Sequence, residues 1–462
     1  MYLQISGQRQ TAVSRQDSGL AELDQQVNHA SANDQISAPA ARQMAPKARR
    51  KQLIGASIGN VLEAYDFIVY AFLATAIARN FFPSDSELAG LLASFGAFGV
   101  GFLARPLGAL IIGRIGDKKG RKTVLMITIF GMALGTIGIG ILPGYATMGI
   151  YAPVLLVLLR LIQGLSMGGE WGGATAFIVE SAASGKRGLF SSIGQASFAA
   201  AYLLGSTVVA IVTASFTAEQ VTDWAWRIPF LIGGMLLPVG IYLRRALEET
   251  PVFAAAKTEA TSPDLAVSSA VAMVSKAFGF TILWTVSYYI MLSYMPTFLT
   301  RYAGLTQTQA LTCNAIAIFV LVLATPLFGA LSDKVGRKPL LLIGCLAFIA
   351  LPYPLFALML SKPGFAAILA ILIVFNVFVG ALSGAAPAAL AELFPTRART
   401  TLMSIGYSTS AAIFGGFAPF IATSLISMTG SPISPVYYLV AAGVASGIAV
   451  LTFRETAHDR LR

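Results

Sequence analysis

The chain has 462 residues, of which 56% are hydrophobic and only 11% charged, with 32 Lys and Arg against 21 Asp and Glu for a formal charge of +11. A mean hydropathy of +0.73 excludes a soluble core, since soluble domains carry about 25% charged residues, and leaves a protein that crosses a membrane repeatedly. The two cysteines and two histidines offer no disulfide framework, metal-ligand spacing or nucleophile–base set, so neither an enzyme nor a cofactor is expected.

Residues 1–46 are polar and rich in Gln, Ser, Ala and Asp. No apolar run there has signal-peptide length, and Asp17, Glu22 and Asp24 argue against a transit peptide. They read as a disordered cytoplasmic tail. Apolar runs follow near 53–77, 88–113, 123–142, 152–178, 190–214 and 226–245. A polar linker covers 246–272, and six more runs lie near 273–300, 309–330, 339–360, 366–391, 401–427 and 434–454. Each is long enough as a helix to cross ~30 Å of hydrocarbon. The predicted architecture is an all-α membrane protein of twelve transmembrane helices in two pseudo-symmetric six-helix bundles, 47–245 and 273–455, with a short tail at 456–462. Cys313 and Cys345 fall inside apolar runs and read as packing residues, while His29 and His458 lie in the tails.

Two cassettes repeat between the halves. Gly113-Arg114-Ile115-Gly116-Asp117-Lys118-Lys119-Gly120-Arg121-Lys122 returns 216 positions later as Gly329-Ala330-Leu331-Ser332-Asp333-Lys334-Val335-Gly336-Arg337-Lys338. Glu180, Arg187, Ser192 and Gly194 return 212 positions later as Glu392, Arg399, Ser404 and Gly406. Recurrence in one order and spacing means two copies of one design. The first cassette reads as a basic turn. Gly113 lets two helices approach and Gly120 permits a tight connection. Asp117 and Arg121, four apart, can pair, or Asp117 can cap a helix start. Such a turn either anchors the loop on one side of the membrane or latches the two halves together.

Lys and Arg fall overwhelmingly on one side. The opposite side has only Arg79, Arg227, Arg301 and Lys362, and Arg105 and Arg160 lie within segments. The positive side is cytoplasmic, which puts both termini inside. Topology thus accounts for the basic balance without nucleic-acid binding. Trp224 and Trp226 suit an aromatic belt on the outer side.

The Gly-x-x-x-Asp-x-x-Gly-Arg-Lys stretch in both halves resembles the signature of the major facilitator superfamily. The stretch Gly59-Asn60-Val61-Leu62-Glu63-Ala64-Tyr65-Asp66-Phe67 is similar to the metabolite:proton symporter family within it. So are Arg105-Pro106-Leu107-Gly108, Arg160-Leu161-Ile162-Gln163-Gly164, Gly168-Gly169-Glu170-Trp171-Gly172-Gly173 and Trp226-Arg227-Ile228-Pro229-Phe230. One departure is Ala64, where the family pattern carries an aromatic. The similarity spans about 50–455 and implies a monomeric proton-coupled carrier in a bacterial cytoplasmic membrane. Known carriers of that family take citrate, oxoglutarate, shikimate, or proline and betaine. Alternating access then favours the latch for Gly113, Asp117, Arg121, Asp333 and Arg337, and more weakly for Glu180, Arg187, Glu392 and Arg399.

Charges inside the membrane are the strongest functional signal, because each costs at least ~2.5–3.5 kcal/mol at a helix centre. Glu63 and Asp66 are three apart on one helical face, and double ionisation of so close a pair is disfavoured. They are the leading proton-binding candidates; the alternative is permanent neutralisation of Arg105 or Arg160. Glu170 either couples protons or holds an arginine. Arg160 suits an anion clamp, with Gln163 one turn on, or a buried ion pair. Arg105, beside Pro106 and near the basic turn, fits structural pairing better than substrate contact. Gly164, Gly168 and Gly172 form a seam for close helix contact, echoed by Gly380 and Gly384. The second half carries no charge inside its segments except Lys276 near one end. Tyr288, Tyr289 and Asn376 are its candidate substrate contacts, with Asn314 and Tyr407 behind them. The combined expectation is a proton symporter for a small organic anion such as citrate or another di- or tricarboxylate. A zwitterion such as proline or betaine is the second reading, and a sensor on the same fold the third.

Overall fold

The computed structural model describes residues 61, 64–65, 67–119, 121–168, 170–183, 185–235, 238, 267–396, 398–459 and 461. Within these, the side chains of 113–114, 116–119, 121–125, 170, 177, 181 and 267 lie outside the description. Hydrocarbon offers no partner to backbone polar groups, so an apolar run must satisfy them internally as a helix. The described parts of all twelve runs do so, and no strand occurs among the described residues.

The first segment is described from position 61 and ends with the helix Ala74–Phe81. The second is Glu87–Lys119, the third Arg121–Ile141, and the fourth Tyr151–Met167 continued by Glu170–Ser181. The fifth is Arg187–Ser215, and the sixth contains Arg227–Met235. The seventh runs Val267–Tyr289, then through a π turn Ile290–Tyr294 into Met295–Tyr302. The eighth is Gln307–Val335. The ninth, Arg337–Ala350, bends by 45° into Pro352–Leu360, where Pro352 cannot donate the hydrogen bond that would keep it straight. The tenth is Phe365–Glu392. The eleventh runs Arg399–Ser410, then through a π turn Ala411–Gly415 into Ala418–Thr429, and the twelfth is Pro435–Leu451.

The basic stretches differ from the loops expected of them. The second segment stays helical through Gly113 to Lys119 over 33 residues, about 50 Å at 1.5 Å per residue. In the second copy the whole connection is Gly336, whose φ of 110° an L side chain rarely adopts. Ser332, Asp333 and Lys334 keep helical bonding, and the Gly336 N–H closes the last turn on the Ser332 carbonyl at 3.1 Å. The second copy is therefore a helix–glycine–helix corner rather than a loop.

Small residues set the helix contacts, as expected where lipid removes the hydrophobic drive for association. A Cβ at Gly164 would overlap the Gly101 carbonyl oxygen, and one at Gly168 the Arg105 carbonyl, which fixes the fourth segment against the second. Gly384 abuts Thr325 and Gly329 of the eighth. Leu103, Leu107, Leu110 and Ile111 project outward from the second segment, and Tyr437, Val444, Ile448 and Leu451 from the twelfth. These exposed apolar stripes suit acyl chains rather than water. Trp226 departs from the belt expectation. It is buried against Phe81 and Phe230 with the Arg227 guanidinium 4.4 Å from its ring, while Trp224 is exposed.

Candidate functional site

The fifth and eighth segments join the two halves along their whole length. Ser192 meets Gly329 near one end, the Ser206 hydroxyl donates to the Leu311 carbonyl at 3.0 Å, and the Thr308 hydroxyl to Thr213 at 3.2 Å toward the other. The second segment meets the eleventh where Phe417 covers Gly99 and Phe102 covers Gly416. These contacts enclose a central cavity of about 60 Å³, walled by Phe67, Phe98, Phe102, Arg105, Trp171, Gln195, Tyr202, Trp284, Tyr288, Tyr289 and Tyr407 among others. Of its sixteen described lining residues ten are aromatic, and Arg105 is the only charged one among them.

Rings close the cavity at both ends. Toward Arg337 the Trp171 ring stacks on Tyr407 at 3.8 Å, and Trp284 lies 5.9 Å from Trp171 and 5.3 Å from Tyr407. The Trp284 indole N–H donates to Ser383 at 3.0 Å, which fixes its tilt. Toward Glu87, Phe102 meets Tyr289 edge-on at 5.0 Å and Phe95 meets Tyr294 at 5.9 Å. The π turns Ile290–Tyr294 and Ala411–Gly415 directly follow the tyrosine pair and the Tyr407 turn. Such turns recur where a helix serves a site.

Three polar atoms on this wall have no hydrogen-bond partner among the described residues: Arg105 Nε, Gln195 Oε1 and the Tyr288 hydroxyl. Unsatisfied buried groups are costly unless something else meets them, and the Gln195 side chain and the Tyr288 hydroxyl lie close enough to meet each other. Arg105 is otherwise held by ring faces, 4.0 Å from the Phe102 centroid and 4.7 Å from that of Phe67, with Met167 Sδ 3.6 Å from Nη2.

Arg160 and Gln163 are placed differently. Arg160 is fully buried but does not line the cavity. Its guanidinium lies 3.9 Å from the Phe67 ring and 4.3 Å from Tyr70, and it donates to Gln163 Oε1 at 2.9 Å. Gln163 passes the bond to Thr136 at 2.9 Å. Asn376 and Asn314 are buried away from the cavity, donating to the Leu372 and Leu292 carbonyls. Tyr288, Tyr289 and Tyr407 do line it. Glu63 and Asp66 lie outside the described residues, as does the Glu170 side chain. Trp284, Gln195 and Tyr202 were not singled out from the sequence. Gln195 and Tyr202, seven apart, share one face of the fifth helix, which is the periodic signal that marks them.

A buried charge cluster closes the Arg337 end. Asp333 accepts from Arg337 at 2.8 Å and from the backbone N–H groups of Gly188 and Leu189 at 2.8 and 2.9 Å, so a carboxylate of the second half caps the fifth helix of the first. Arg337 also reaches Glu392 at 3.2 Å, and Glu392 receives Arg187 at 3.5 Å. Arg399 pairs with Glu180 at 2.6 Å, again across the halves. Asp333 and Arg337, the second copy of the Asp117–Arg121 spacing, thus pair. Asp117 and Arg121 have side chains outside the described set. At the opposite end the one ion pair that crosses among the described residues is exposed, Arg301 to Glu87 at 3.2 Å.

Two helical halves around a closed central cavity, with ion pairs that part if the halves separate, define a membrane transporter. The sequence model described as Major Facilitator Superfamily matches residues 56–419, and again 304–462. The chain belongs to that superfamily. It is 34% identical to a proline/betaine transporter of Salmonella typhimurium, over 89% of this chain and 85% of the relative. It is equally 34% identical to a citrate-proton symporter of Klebsiella pneumoniae, over 87% and 91%. The fold also matches a crystal structure of a D-xylose-proton symporter with a TM-score of 0.72 at 19% identity, covering 89% of this chain and 99% of that one.

Proposed function

We propose that the chain is a proton-coupled symporter that takes a small solute bearing a single carboxylate, of the proline or betaine kind, through the central cavity. The observation that carries this reading is Arg105, the lone guanidinium among the described residues of a wall of rings, with Nε unpartnered among them. One guanidinium matches one carboxylate. Ring faces suit the cationic or apolar remainder of such a solute, since aromatic cages favour ammonium groups. The tricarboxylate reading draws support from the citrate-proton symporter relative, but three carboxylates exceed what one described cation offers.

Glu63, Asp66 and Glu170 remain the proposed proton carriers. The rings at one end must part to admit a solute, since ligand pockets are usually ~300–1,000 Å³ and this cavity is far smaller. The cluster of Asp333, Arg337, Glu392, Arg187, Arg399 and Glu180 serves as the latch of one closed end, with Gly113, Asp117 and Arg121 as its counterpart in the first half. The distribution of Lys and Arg supports placing that end in the cytoplasm.

The test is uptake of labelled proline, glycine betaine, citrate and oxoglutarate into proteoliposomes. Accumulation of proline or betaine alone supports the reading. Accumulation of citrate or oxoglutarate alone replaces it with the polycarboxylate one.

A further inference from the structure

A second, larger cavity of about 520 Å³ lies between the seventh, ninth, tenth and twelfth segments, roofed by the C-terminal residues. Among the described residues five cations line it, Arg187, Lys276, Arg337, Lys338 and Arg454, against two acids, Glu392 and Asp459. Arg187 and Arg337 are engaged with Glu392. Lys338 Nζ donates to the Leu451 and Phe453 carbonyls at 3.0 and 2.9 Å. Lys276 and Arg454 have no carboxylate partner among the described residues. The remaining wall is apolar, with Met273, Leu341, Phe394, Phe453 and Leu461. The flanks, Val271 on the seventh segment and Leu451 on the twelfth, are exposed apolar residues that suit lipid.

We infer that this cavity binds a phosphate-bearing anion, gripped by Lys276 and Arg454, whose apolar portion lies along Leu341 and Phe453. A basic chamber between helix ends beside an acyl-facing surface is the chemistry that holds an anionic headgroup. Arg454, Thr456, Asp459 and Leu461 come from the C-terminal stretch, so occupancy fastens that stretch to the seventh and ninth segments. Glu392 and Arg337 sit on the same wall, so occupancy also braces the latch. The phosphate has two possible sources, an anionic phospholipid or a soluble phosphate ester, and the apolar wall favours the lipid.

The full chain is reconstituted in nanodiscs of phosphatidylcholine with and without phosphatidylglycerol, and lipid retained by the detergent-purified protein is read by native mass spectrometry. Wild type is compared with Lys276→Gln/Arg454→Gln and with Lys186→Gln/Lys334→Gln, an equal charge change at exposed positions outside the cavity. In parallel, glycerol 3-phosphate is titrated against thermal unfolding in detergent. We expect phosphatidylglycerol to be retained and to raise Tm. The cavity variant should lose about 30-fold in affinity, at ~1 kcal/mol per cation removed, and the control should not. A Tm rise with glycerol 3-phosphate that the cavity variant loses assigns the site to a soluble ester. Retention and Tm shifts equal in all three proteins, or absent in wild type, overturn the proposal.

Discussion

The latch yields to a single substitution whose size follows from its geometry. Asp333 is buried and accepts the Gly188 and Leu189 N–H groups. Those two bonds join the halves, whereas its bond to Arg337 lies within the second half and persists when the halves part. Only the first two therefore favour the closed end over the open one. Hydrogen bonds to a charged group contribute about 1.5–3 kcal/mol each, so the pair favours closure by ~3 kcal/mol at the low end. Asp333→Asn removes the charge and turns an amide NH2 toward one of these donors. A shift of ~3 kcal/mol changes the open population about 100-fold. The assay places a reporter thiol at Ser192, which is buried against Gly329, with Cys313 and Cys345 replaced by Ala. Maleimide labelling of Ser192→Cys should accelerate about 100-fold when Asp333→Asn is added. A change below about threefold would refute the latch, as would unchanged turnover in Asp117→Ala/Asp333→Ala.

Arg160→Gln removes the cation from Phe67 and Tyr70 and the donor from Gln163, and should cost about 2–4 kcal/mol. Thermal unfolding should shift down while solute affinity in the folded fraction stays within about threefold. Gly168→Leu forces a side chain into the Arg105 carbonyl and should lower Tm by more than Gly173→Leu, whose Cβ meets open space. Glu455 accepts the Arg337 and Lys338 N–H groups at 2.8 and 3.0 Å. Burial pushes its carboxyl upward, but backbone donors from Arg337, Ala457, Lys338 and Thr456 outweigh this and hold it below its ordinary 4.5. Its stabilising effect is therefore complete above about pH 4.5 and lost as pH falls through the lowered folded value. Hydrogen exchange of the 452–461 stretch should speed up on acidification there, and Glu455→Gln should abolish that pH dependence.

The twelve segments were legible because lipid leaves a chain no alternative to helices of membrane length. The cassettes were legible because they repeat in one order and spacing, and in the second copy Asp333 and Arg337, four apart, pair across the Gly336 corner. The basic stretch misled, since its charges resemble a loop while in the second copy only Gly336 interrupts the helix. The division of labour between Arg105 and Arg160 was harder to read, both being single arginines in apolar runs. Helix rotation separates them. Arg160, Gly164 and Gly168 share one face at four-residue spacing, and that face is pressed onto the second segment, which seals Arg160 among Phe67, Tyr70 and Phe98. The second cavity draws on five separate stretches of chain, and no local pattern announces it.

The most direct test of the central claim is uptake of labelled proline by proteoliposomes under an inward proton gradient, with wild type and Arg105→Gln in parallel. The account predicts accumulation in wild type that collapses with the gradient. In Arg105→Gln it predicts loss of uptake with Tm preserved to within a few degrees. Full gradient-driven accumulation by the variant, or wild-type uptake indifferent to the gradient, would contradict it.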